Sequence, residues 1–310
     1  MTVEAFELRE GELLGLIHQK LKAGTYRFKP ARRVLIPKEG TSKMRKLGIP
    51  VVMDRIVGQS INLVLEEIFD LSFTESNFGF RRGKSQHQAI RHVQGIVLER
   101  CEWCASVHLK SFFDEIPHDL ILRVIRRKIA DERLVTLIAR ALKAGVKVDG
   151  KYKKTTKGCS QGPPLSPMLS NIVLNELAQE LEKRGHRYCR WADDFLILVR
   201  SERAARRVME GIVKYLEKDL GLPVNKEKSK VACIKDVSFL GFQVLRGKIR
   251  ISNKARTKFK KKVRELIRRN NPLSMHQITK DLNRYLYEPF CWEGGVALGP
   301  LPTRFLAACD

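Results

Sequence analysis

Two adjacent aspartates interrupt a long apolar stretch, and this feature constrains the fold more than any other in the sequence. The stretch covers 188–199, with Asp193 and Asp194 near its middle. Large and β-branched residues over 195–199 predict a buried strand, and the residues before the pair predict a partner strand. The two aspartates therefore fall, with Ala192, at a tight turn between two strands.

The aspartate pair needs a partner of opposite charge wherever it is shielded from water, because neighbouring carboxylates repel each other. Mg²⁺ is such a partner, since it prefers hard oxygen ligands and typically takes one or two carboxylates plus substrate phosphates. The alternative is an exposed hairpin that binds nothing, because Asp is a common turn residue. Asp193 and Asp194 are therefore candidate metal ligands, and the stretch alone leaves both alternatives open.

The net charge of the chain indicates an anionic partner. Among its 310 residues, Lys and Arg number 59 against 34 Asp and Glu, which gives a formal charge of +25. An excess of this size is typical of nucleic-acid-binding proteins, and a basic protein of the membrane surface is the less favoured alternative. We expect a cytoplasmic protein without a membrane partner, because the sequence shows neither a signal peptide nor a long apolar span.

The cysteines show no pattern typical of a disulfide framework or a zinc site. There are seven of them, an odd number without regular spacing, which favours reduced thiols. Cys101 and Cys104 form a lone CxxC with no second pair at zinc spacing. We therefore expect buried or idle thiols at this motif.

Hydrophobic periodicity predicts helices and short strands along most of the chain. Helices are predicted over 6–21, 54–69, 85–98, 119–129, 133–144, 165–181, 202–220 and 253–270. Strands are predicted over 32–37, 47–50 and 105–113, as a basic hairpin over 146–156, and as short strands between 235 and 250. From residue 288 onward, the lack of a period and the many helix breakers predict an irregular tail.

Three basic segments have the composition of a nucleic-acid-binding surface. A hairpin-like loop carries Lys38, Lys43, Arg45 and Lys46. The loop over 77–85 combines two phenylalanines with Arg81, and such side chains together stack on bases and hold phosphates. The helix over 253–270 is so dense in Lys and Arg that a phosphate-binding surface is favoured over a solvated face. For each segment, a solvated surface without a ligand is the alternative.

The order of the motifs resembles that of the reverse transcriptases encoded by bacterial group II introns, over about residues 31–287. The matching segments are Leu47–Pro50 with Asp54–Val57, Phe78–Arg81, Lys110–Ile116, Gln161–Asn171, Ala192–Asp194, Gly221–Lys228 and Phe239–Phe242. The resemblance implies an α+β, right-hand polymerase fold with an antiparallel palm sheet, helical fingers and a partial helical thumb. The implied regions are fingers over 1–104, a palm with interleaved fingers elements over 105–250, a partial thumb over 251–287 and the irregular tail over 288–310.

The resemblance also implies an activity and a set of site residues. The activity is RNA-directed DNA polymerisation, in which two divalent ions promote phosphoryl transfer to a primer 3′ hydroxyl. The implied cofactor is Mg²⁺, with Mn²⁺ as the alternative, and the implied partners are template or intron RNA, a DNA primer and dNTPs. Asp193 and Asp194 are the implied catalytic and metal-binding residues. The residues implied for the nucleotide are Lys38, Arg45, Phe113, Gln161 and Lys228, those for primer and template are Arg81, Trp191, Phe239, Leu240 and Gly241, and those for RNA are Lys254, Lys258, Lys261, Lys262 and Arg268.

His108 is the main departure from the family's pattern. The family has an aspartate at this position, where it supplies the first metal-binding carboxylate, whereas this chain has a histidine. Imidazole is a poor ligand for Mg²⁺ and brings no negative charge. Asp114 is no substitute, because it would lie about 20 Å further along an extended strand. We expect polymerisation to be severely weakened or absent, and the alternative is that His108 still holds a softer ion such as Mn²⁺.

Two further departures concern the aspartate motif and the extent of the chain. Trp191 replaces the tyrosine that precedes Ala-Asp-Asp in the family, which keeps an aromatic ring but a larger one whose N–H needs a partner. The DNA-binding and endonuclease domains of the family are not recognisable in the sequence. We therefore expect the chain to lack both of them.

Three functions stay open at this point. The first is a group II intron reverse transcriptase whose polymerisation is weakened by His108. The second is a non-catalytic, maturase-like protein that helps intron RNA to fold for splicing, which predicts salt-sensitive RNA binding without nucleotide incorporation. The third is a degenerate, truncated intron reading frame. The sequence leaves the oligomeric state and the cognate RNA open.

Overall fold

The computed structural model describes residues 2–37, 44–268 and 270–290, which form an α+β structure. Its helices are α1 (Val3–Glu7), α2 (Glu10–Lys22), α3 (Val52–Phe69), α4 (Gln86–Leu98), α5 (Phe112–Glu115), α6 (His118–Arg126), α7 (Glu132–Lys143), α8 (Leu165–Lys183), α9 (Glu202–Lys214), α10 (Asn253–Leu266) and α11 (Met275–Phe290). Its strands are β1 (Ala31–Pro37), β2 (Met44–Ile49), β3 (Trp103–His108), β4 (Val146–Val148), β5 (Lys151–Lys153), β6 (Arg187–Trp191), β7 (Asp194–Val199), β8 (Lys230–Cys233), β9 (Phe242–Leu245) and β10 (Lys248–Ile251).

An antiparallel four-stranded sheet, in the order β6–β7–β3–β8, separates the two hydrophobic cores of the described chain. Successive side chains of a strand point to opposite faces, so each central strand contributes to both cores. Val107 and Ile197 pack on one face with residues of α3, α6 and α8. Leu196 and Leu198 pack on the other face with residues of α4 and β9. The antiparallel sheet predicted for the palm is therefore present, and it is covered on both sides.

A second sheet of four strands, in the order β2–β1–β4–β5, brings distant parts of the chain together. β1 is antiparallel to β2 and parallel to β4. The predicted basic hairpin over 146–156 is confirmed as β4 and β5, which are antiparallel. Its turn residues Asp149 and Gly150 have φ values of 49° and 79°, as the type I′ turn of a tight hairpin requires. The remaining strands, β9 and β10, form a separate antiparallel pair.

Several predicted boundaries were wrong for identifiable physical reasons. The strand predicted over 105–113 ends at His108, because Ser111 adopts a left-handed backbone (φ 48°) and the next residues form the helical turn α5. The helix predicted over 6–21 is divided into α1 and α2. The helix predicted over 202–220 changes to a π-helical turn at Tyr215–Asp219. Strand β8 was missed, because four residues at the edge of a sheet give too short a pattern.

The region predicted to be a partial thumb contains the two helices α10 and α11. The rings of Phe259 and Tyr285 stack with their centroids 5.9 Å apart and join these helices. Helix α11 continues to Phe290, three residues into the segment that was predicted to be irregular, and the rest of that tail lies outside the described residues. None of the helices in the described part of the chain combines the length and the apolar character needed to cross a membrane.

Candidate active site

The β6–β7 hairpin carries the two aspartates at a two-residue turn. Trp191 pairs with Asp194 across the hairpin, which leaves Ala192 and Asp193 as the turn itself. Ala192 has a left-handed backbone, with φ of 54°, a conformation that costs a residue other than glycine roughly 1 kcal/mol or more. The predicted tight turn is therefore present, and the surrounding structure holds it in a strained form.

His108 lies directly beside Asp194. The antiparallel register of β3 and β7 pairs the two residues. The Nδ1 atom of His108 lies 2.6 Å from Oδ1 of Asp194. A carboxylate only accepts hydrogen bonds, so Nδ1 carries a proton and is the donor of this hydrogen bond. The histidine at the position where the resemblance implies a carboxylate is thus hydrogen-bonded to one of the two adjacent aspartates.

Ser106, His108 and Asp194 are linked by hydrogen bonds in the same order as the serine, histidine and aspartate of a serine-hydrolase triad. Ser106 Oγ lies 3.3 Å from His108 Nε2, so the serine and the aspartate contact different nitrogens of the ring. However, Ser106 is only 6% exposed within the sheet, and a nucleophile must be accessible to its substrate. The arrangement therefore holds the imidazole ring in place rather than activating the serine.

The loop over 223–229 fixes the end of β3. The N–H of Asn225 donates to the carbonyl of His108 at 2.8 Å, and the N–H of His108 donates to Ser229 Oγ at 3.0 Å. The same loop carries Lys228, which is exposed to solvent. A residue predicted to bind the nucleotide is thereby attached to the strand that holds His108.

The surroundings of Asp193 disfavour its ionised form. Burial raises the pKa of the Asp193 carboxyl, and the adjacent charge of Asp194 raises it further. The charges of His108 and Lys228 lower the same pKa but have smaller effects. An additional positive group near the turn would stabilise the ionised form of Asp193.

Backbone hydrogen bonds connect the segments that were predicted to bind the nucleotide. The carbonyl of Phe113 accepts a bond of 2.8 Å from the loop that precedes Gln161, and the carbonyl of Gln161 accepts one of 2.7 Å from Gly48. Arg45 is exposed on β2, three residues before Gly48. Phe113, Gln161 and the strand of Arg45 therefore share one region of the molecule, whereas Lys38 lies outside the described residues.

Arg81 is engaged by partners within the protein. Its side chain is 6% exposed and forms an ion pair with Asp70. All five of its N–H groups donate, three of them to Asp70 and the other two to the carbonyls of Thr74 and Asn77. We predicted that Arg81 contacts primer or template. The structure corrects this interpretation, because the guanidinium has no free N–H and instead holds the loop over 70–81 together.

The remaining residues predicted for primer and template lie near two turns. Trp191, partly exposed, precedes the aspartate turn. Phe239 is buried, and Leu240 and Gly241 follow it with left-handed φ values of 51° and 83°. Phe239 and Phe242 exchange two backbone hydrogen bonds of 2.9 Å across this second turn. The primer contacts assigned to these residues stay predictions.

The residues predicted to bind RNA share exposure to solvent. Helix α10 begins after Ser252, whose side chain accepts a hydrogen bond of 3.2 Å from the N–H of Ala255. The exposed basic residues on this helix and just after it include Lys254, Lys258, Lys261, Lys262 and Arg268. This surface is compatible with a phosphate backbone, and its RNA-binding role stays a prediction.

Three residues that hold the aspartate turn were not identified from the sequence: Gly79, Asn171 and Arg190. A Cβ atom added at Gly79 would lie 2.2 Å from the backbone nitrogen of Ala192. Nδ2 of Asn171 donates to the carbonyl of Gly79 at 2.9 Å, and Nη1 of Arg190 donates to Oδ1 of Asn171 at 3.0 Å. The sequence does show a charged residue, Arg190, within an apolar strand, but it does not show which residues Arg190 contacts.

The two cysteines of the CxxC motif are buried, free thiols. Cys101 and Cys104 form no disulfide bond. Burial raises the pKa of the Cys104 thiol to about 12, so this side chain is a thiol rather than a thiolate at neutral pH.

Comparison with known proteins identifies the family of the chain. The family described as reverse transcriptase (RNA-dependent DNA polymerase) matches residues 36–244. The chain belongs to this family. Protein YkfC of Escherichia coli (strain K12) is 33% identical over 277 residues, which cover 76% of this chain and 72% of YkfC. The group II intron-encoded protein LtrA of Lactococcus lactis subsp. cremoris is 37% identical over 166 residues, which cover 54% of this chain and 28% of LtrA.

These relatives confirm the predicted class within the family. The chain is a reverse transcriptase or maturase-type protein of the group II intron class, as its motifs predicted. A putative COX1/OXI3 intron 1 protein of Saccharomyces cerevisiae is 27% identical over 299 residues and covers 78% of the chain. The chain corresponds to 36% of that protein and 28% of LtrA, so the activities of the whole relatives do not transfer directly.

Solved structures confirm the right-hand polymerase fold. The telomerase of Candida tropicalis, in complex with a TWJ fragment of telomeric RNA, has a TM-score of 0.57 and 14% sequence identity, covering 90% of this chain and 56% of the telomerase. The telomerase of Candida albicans, in complex with the same kind of RNA fragment, has a TM-score of 0.56 and 15% identity over 79% of this chain and 51% of the other. At this identity the likeness shows the fold alone.

The side chains at the turn do not fit the two divalent ions that the resemblance implies. Asp193 and Asp194 offer hard oxygens that suit one such ion. At the third position His108 offers nitrogen, and its Nδ1 is already bonded to an oxygen of Asp194. No group of three or more His, Cys, Asp and Glu side chains is arranged to hold a metal within 2–37, 44–268 and 270–290. The donor set therefore differs from a two-ion site by one carboxylate.

Proposed function

We propose that this chain is a group II intron-type reverse transcriptase in which RNA-directed DNA synthesis is severely weakened while RNA binding is retained. The observation that carries the proposal is the 2.6 Å contact between Nδ1 of His108 and Oδ1 of Asp194. The imidazole replaces an anionic oxygen donor and at the same time occupies an oxygen of Asp194, one of the two donors that are left. Both effects act against binding of a second divalent ion.

The size of the expected loss follows from the role of such ions in phosphoryl transfer. A metal ion typically supplies several kcal/mol of transition-state stabilisation. Each loss of about 1.4 kcal/mol lowers the rate roughly tenfold. Removing one of three carboxylates that hold the ions is therefore expected to lower the rate of incorporation about 1000-fold.

The substrates proposed are an RNA template, a DNA primer and dNTPs. Phe113 and Gln161 lie in segments that are joined by backbone hydrogen bonds to β2, which carries Arg45. A pocket for a triphosphate needs positive charge beside a surface for the base and sugar. Lys228 supplies further charge at the end of β3. These positions support nucleotide binding even where the transfer itself is slow.

Restoring the missing carboxylate is the direct test of the proposal. Extension of a DNA primer on an RNA template is measured for the wild-type chain and for His108→Asp, at low salt, first with Mg²⁺ and then with Mn²⁺. We expect the variant to incorporate dNTPs about 1000-fold faster than the wild type in Mg²⁺.

Two matched variants define what the restored activity depends on. His108→Asn supplies an oxygen without negative charge and is expected to recover little. His108→Asp combined with Asp193→Asn is expected to lose the recovered activity. Equally robust incorporation by the wild type and His108→Asp would contradict the proposal, and so would an inactive His108→Asp variant that is folded and binds RNA.

A second candidate is a non-catalytic, maturase-like protein that assists the folding of intron RNA. The observation that favours it is the exposed basic surface of α10, which lies outside the segment matched by the family at 36–244. RNA binding is electrostatic in large part and therefore falls with salt. Tight, salt-sensitive binding of intron RNA, together with no incorporation by the wild type in either metal, would favour this candidate over residual polymerisation.

A further inference from the structure

Arg190 is an arginine in the core of the protein. It lies on β6, three residues before Asp193, and its relative exposure is 0%. Nη1 of Arg190 donates to Oδ1 of Asn171 at 3.0 Å and to the carbonyl of Ala192 at 3.1 Å. Its Nε and Nη2 atoms have no partner among the residues that the structure describes. Burial lowers the pKa of the guanidinium to about 9.

Stability alone does not account for an arginine at this position. Transfer of a charged side chain into the core costs several kcal/mol unless good partners compensate for the lost water. The guanidinium lies 5.7 Å from the centre of the Phe195 ring, and this contact recovers only a part of the cost. An apolar side chain of similar volume would fill the same space without that cost. What the arginine adds is the pair of hydrogen bonds to Asn171 and Ala192.

The bond to Ala192 acts on the backbone of the aspartate turn. Ala192 has a left-handed conformation with φ of 54°, and the next residue is Asp193. A carbonyl held by a buried guanidinium has little freedom to rotate, because a hydrogen bond from a charged donor is stronger than one from a neutral donor, and more so in an interior of low polarity. The direction of the Asp193 side chain depends on the same backbone. Holding the carbonyl therefore limits where Asp193 points.

The other side of the turn is held by Gly79. A Cβ there would lie 2.2 Å from the nitrogen of Ala192, so the two backbones are in close contact. Asn171 joins the two sides, since its amide accepts from Arg190 and donates to the carbonyl of Gly79. The backbone N–H of Arg190 also donates to Ser76 at 2.8 Å. The turn is thus enclosed by β6, α8 and the loop over 70–81, which contains Gly79.

We propose that Arg190 is a positioning residue that fixes the direction of Asp193 by holding the Ala192 carbonyl, with Asn171 linking it to Gly79. The catalytic consequence rests on the proposed polymerase function, whereas the positioning itself does not. Arg190 contacts no substrate in this assignment and acts only through the turn. A displacement of about 1 Å at a reacting group lowers a rate about 100-fold.

The catalytic consequence is tested in the His108→Asp background. Arg190→Met keeps the length of the side chain but donates no hydrogen bond, and Arg190→Gln keeps an N–H donor without the charge. We expect Arg190→Met to lower kcat about 100-fold with KM for the dNTP changed by less than about threefold. The kcat of Arg190→Gln is expected to be at least about tenfold higher than that of Arg190→Met. Arg187→Met, an exposed arginine on the same strand, is the matched control and is expected to keep the parent kcat.

The positioning is tested separately in the wild-type chain by amide hydrogen exchange. We expect Arg190→Met to speed exchange of the peptide over 191–195 at least about tenfold, while a peptide from α8 over 172–178 is unchanged and Arg190→Gln resembles the wild type. Equal acceleration in both peptides, or none in either, would overturn the proposal, as would a kcat for Arg190→Met within about twofold of its parent. If His108→Asp is inactive, the polymerase proposal fails, and the exchange result still decides the positioning role.

Discussion

Replacing Gly79 with alanine tests whether the aspartate turn tolerates any displacement. The added Cβ would lie 2.2 Å from the nitrogen of Ala192 and 3.0 Å from the carbonyl carbon of Trp191. Real Cβ atoms essentially never come closer than 3.0 Å to a neighbour, so the two backbones must separate by at least 0.8 Å (3.0 minus 2.2). Both neighbouring atoms belong to the backbone. No side chain can therefore rotate to absorb the contact.

This displacement predicts a loss of stability and a loss of catalytic rate. Overpacking a well-packed interior typically costs about 1–3 kcal/mol, so we expect the free energy of unfolding to fall by about 2 kcal/mol. The turn itself must move by nearly 1 Å, and a misplacement of that size lowers a rate about 100-fold. The Gly79→Ala variant is thus expected to lose about 100-fold in kcat while it stays folded, since about 2 kcal/mol is only a part of the stability of a typical domain.

The assay combines urea unfolding with dNTP incorporation in the His108→Asp background. Gly95→Ala is the matched control, because Gly95 lies exposed in α4 with nothing within 4 Å of an added Cβ. This control is expected to raise the free energy of unfolding by about 0.5–1 kcal/mol and to keep the parent kcat. A Gly79→Ala variant with the stability and kcat of its parent would refute the close contact between Gly79 and the turn.

Two further predictions concern acid stability and salt. Burial lowers the pKa of His118, with Lys143 acting in the same direction, so the unfolded chain takes up a proton first as the pH falls. The free energy of unfolding is therefore expected to drop as the pH falls through about 6.5, the ordinary pKa of histidine. The stability gap between wild type and His118→Gln is expected to shrink with it, as followed by urea titration. Binding of RNA is measured as a function of salt for a variant in which Lys261 and Lys262 are both neutralised. The plot of log K against log salt is expected to become less steep by about 0.7 for each phosphate that these lysines neutralise in the wild type. An unchanged slope would show that α10 is not part of the RNA-binding surface. Neutralising Lys218, which is exposed in the π-helical turn after α9, is the control for a general effect of charge.

The elements that position the site could be predicted where the sequence signal is local. The apolar strands around Asp193 and the basic hairpin around Gly150 have strong patterns, and both are present. Helix caps such as Ser85, which begins α4 with a capping box, are also local. The strand predicted over 105–113 was too long, because the left-handed backbone of Ser111 interrupts a run of residues that are otherwise suited to a strand.

The contacts around the turn depend on tertiary structure and left no readable pattern. Gly79 and Ala192 are far apart in sequence, and their contact appears only once the loop packs on the hairpin. Arg81 was interpreted as a nucleic-acid contact because its loop is basic and aromatic, whereas its guanidinium is turned inward to Asp70. The replacement at His108 was visible from the sequence. Its bond to Asp194 required the register of β3 and β7.

The bond between His108 and Asp194 can hold this part of the fold together whether or not the site is catalytic. Neighbouring carboxylates repel each other when no cation lies between them, whereas here the imidazole N–H donates a hydrogen bond to one member of the pair. The end of β3 is thus held against β7 by a contact that involves no metal ion. Histidine and aspartate codons differ at a single base, so the carboxylate that the resemblance implies at position 108 is one point mutation away.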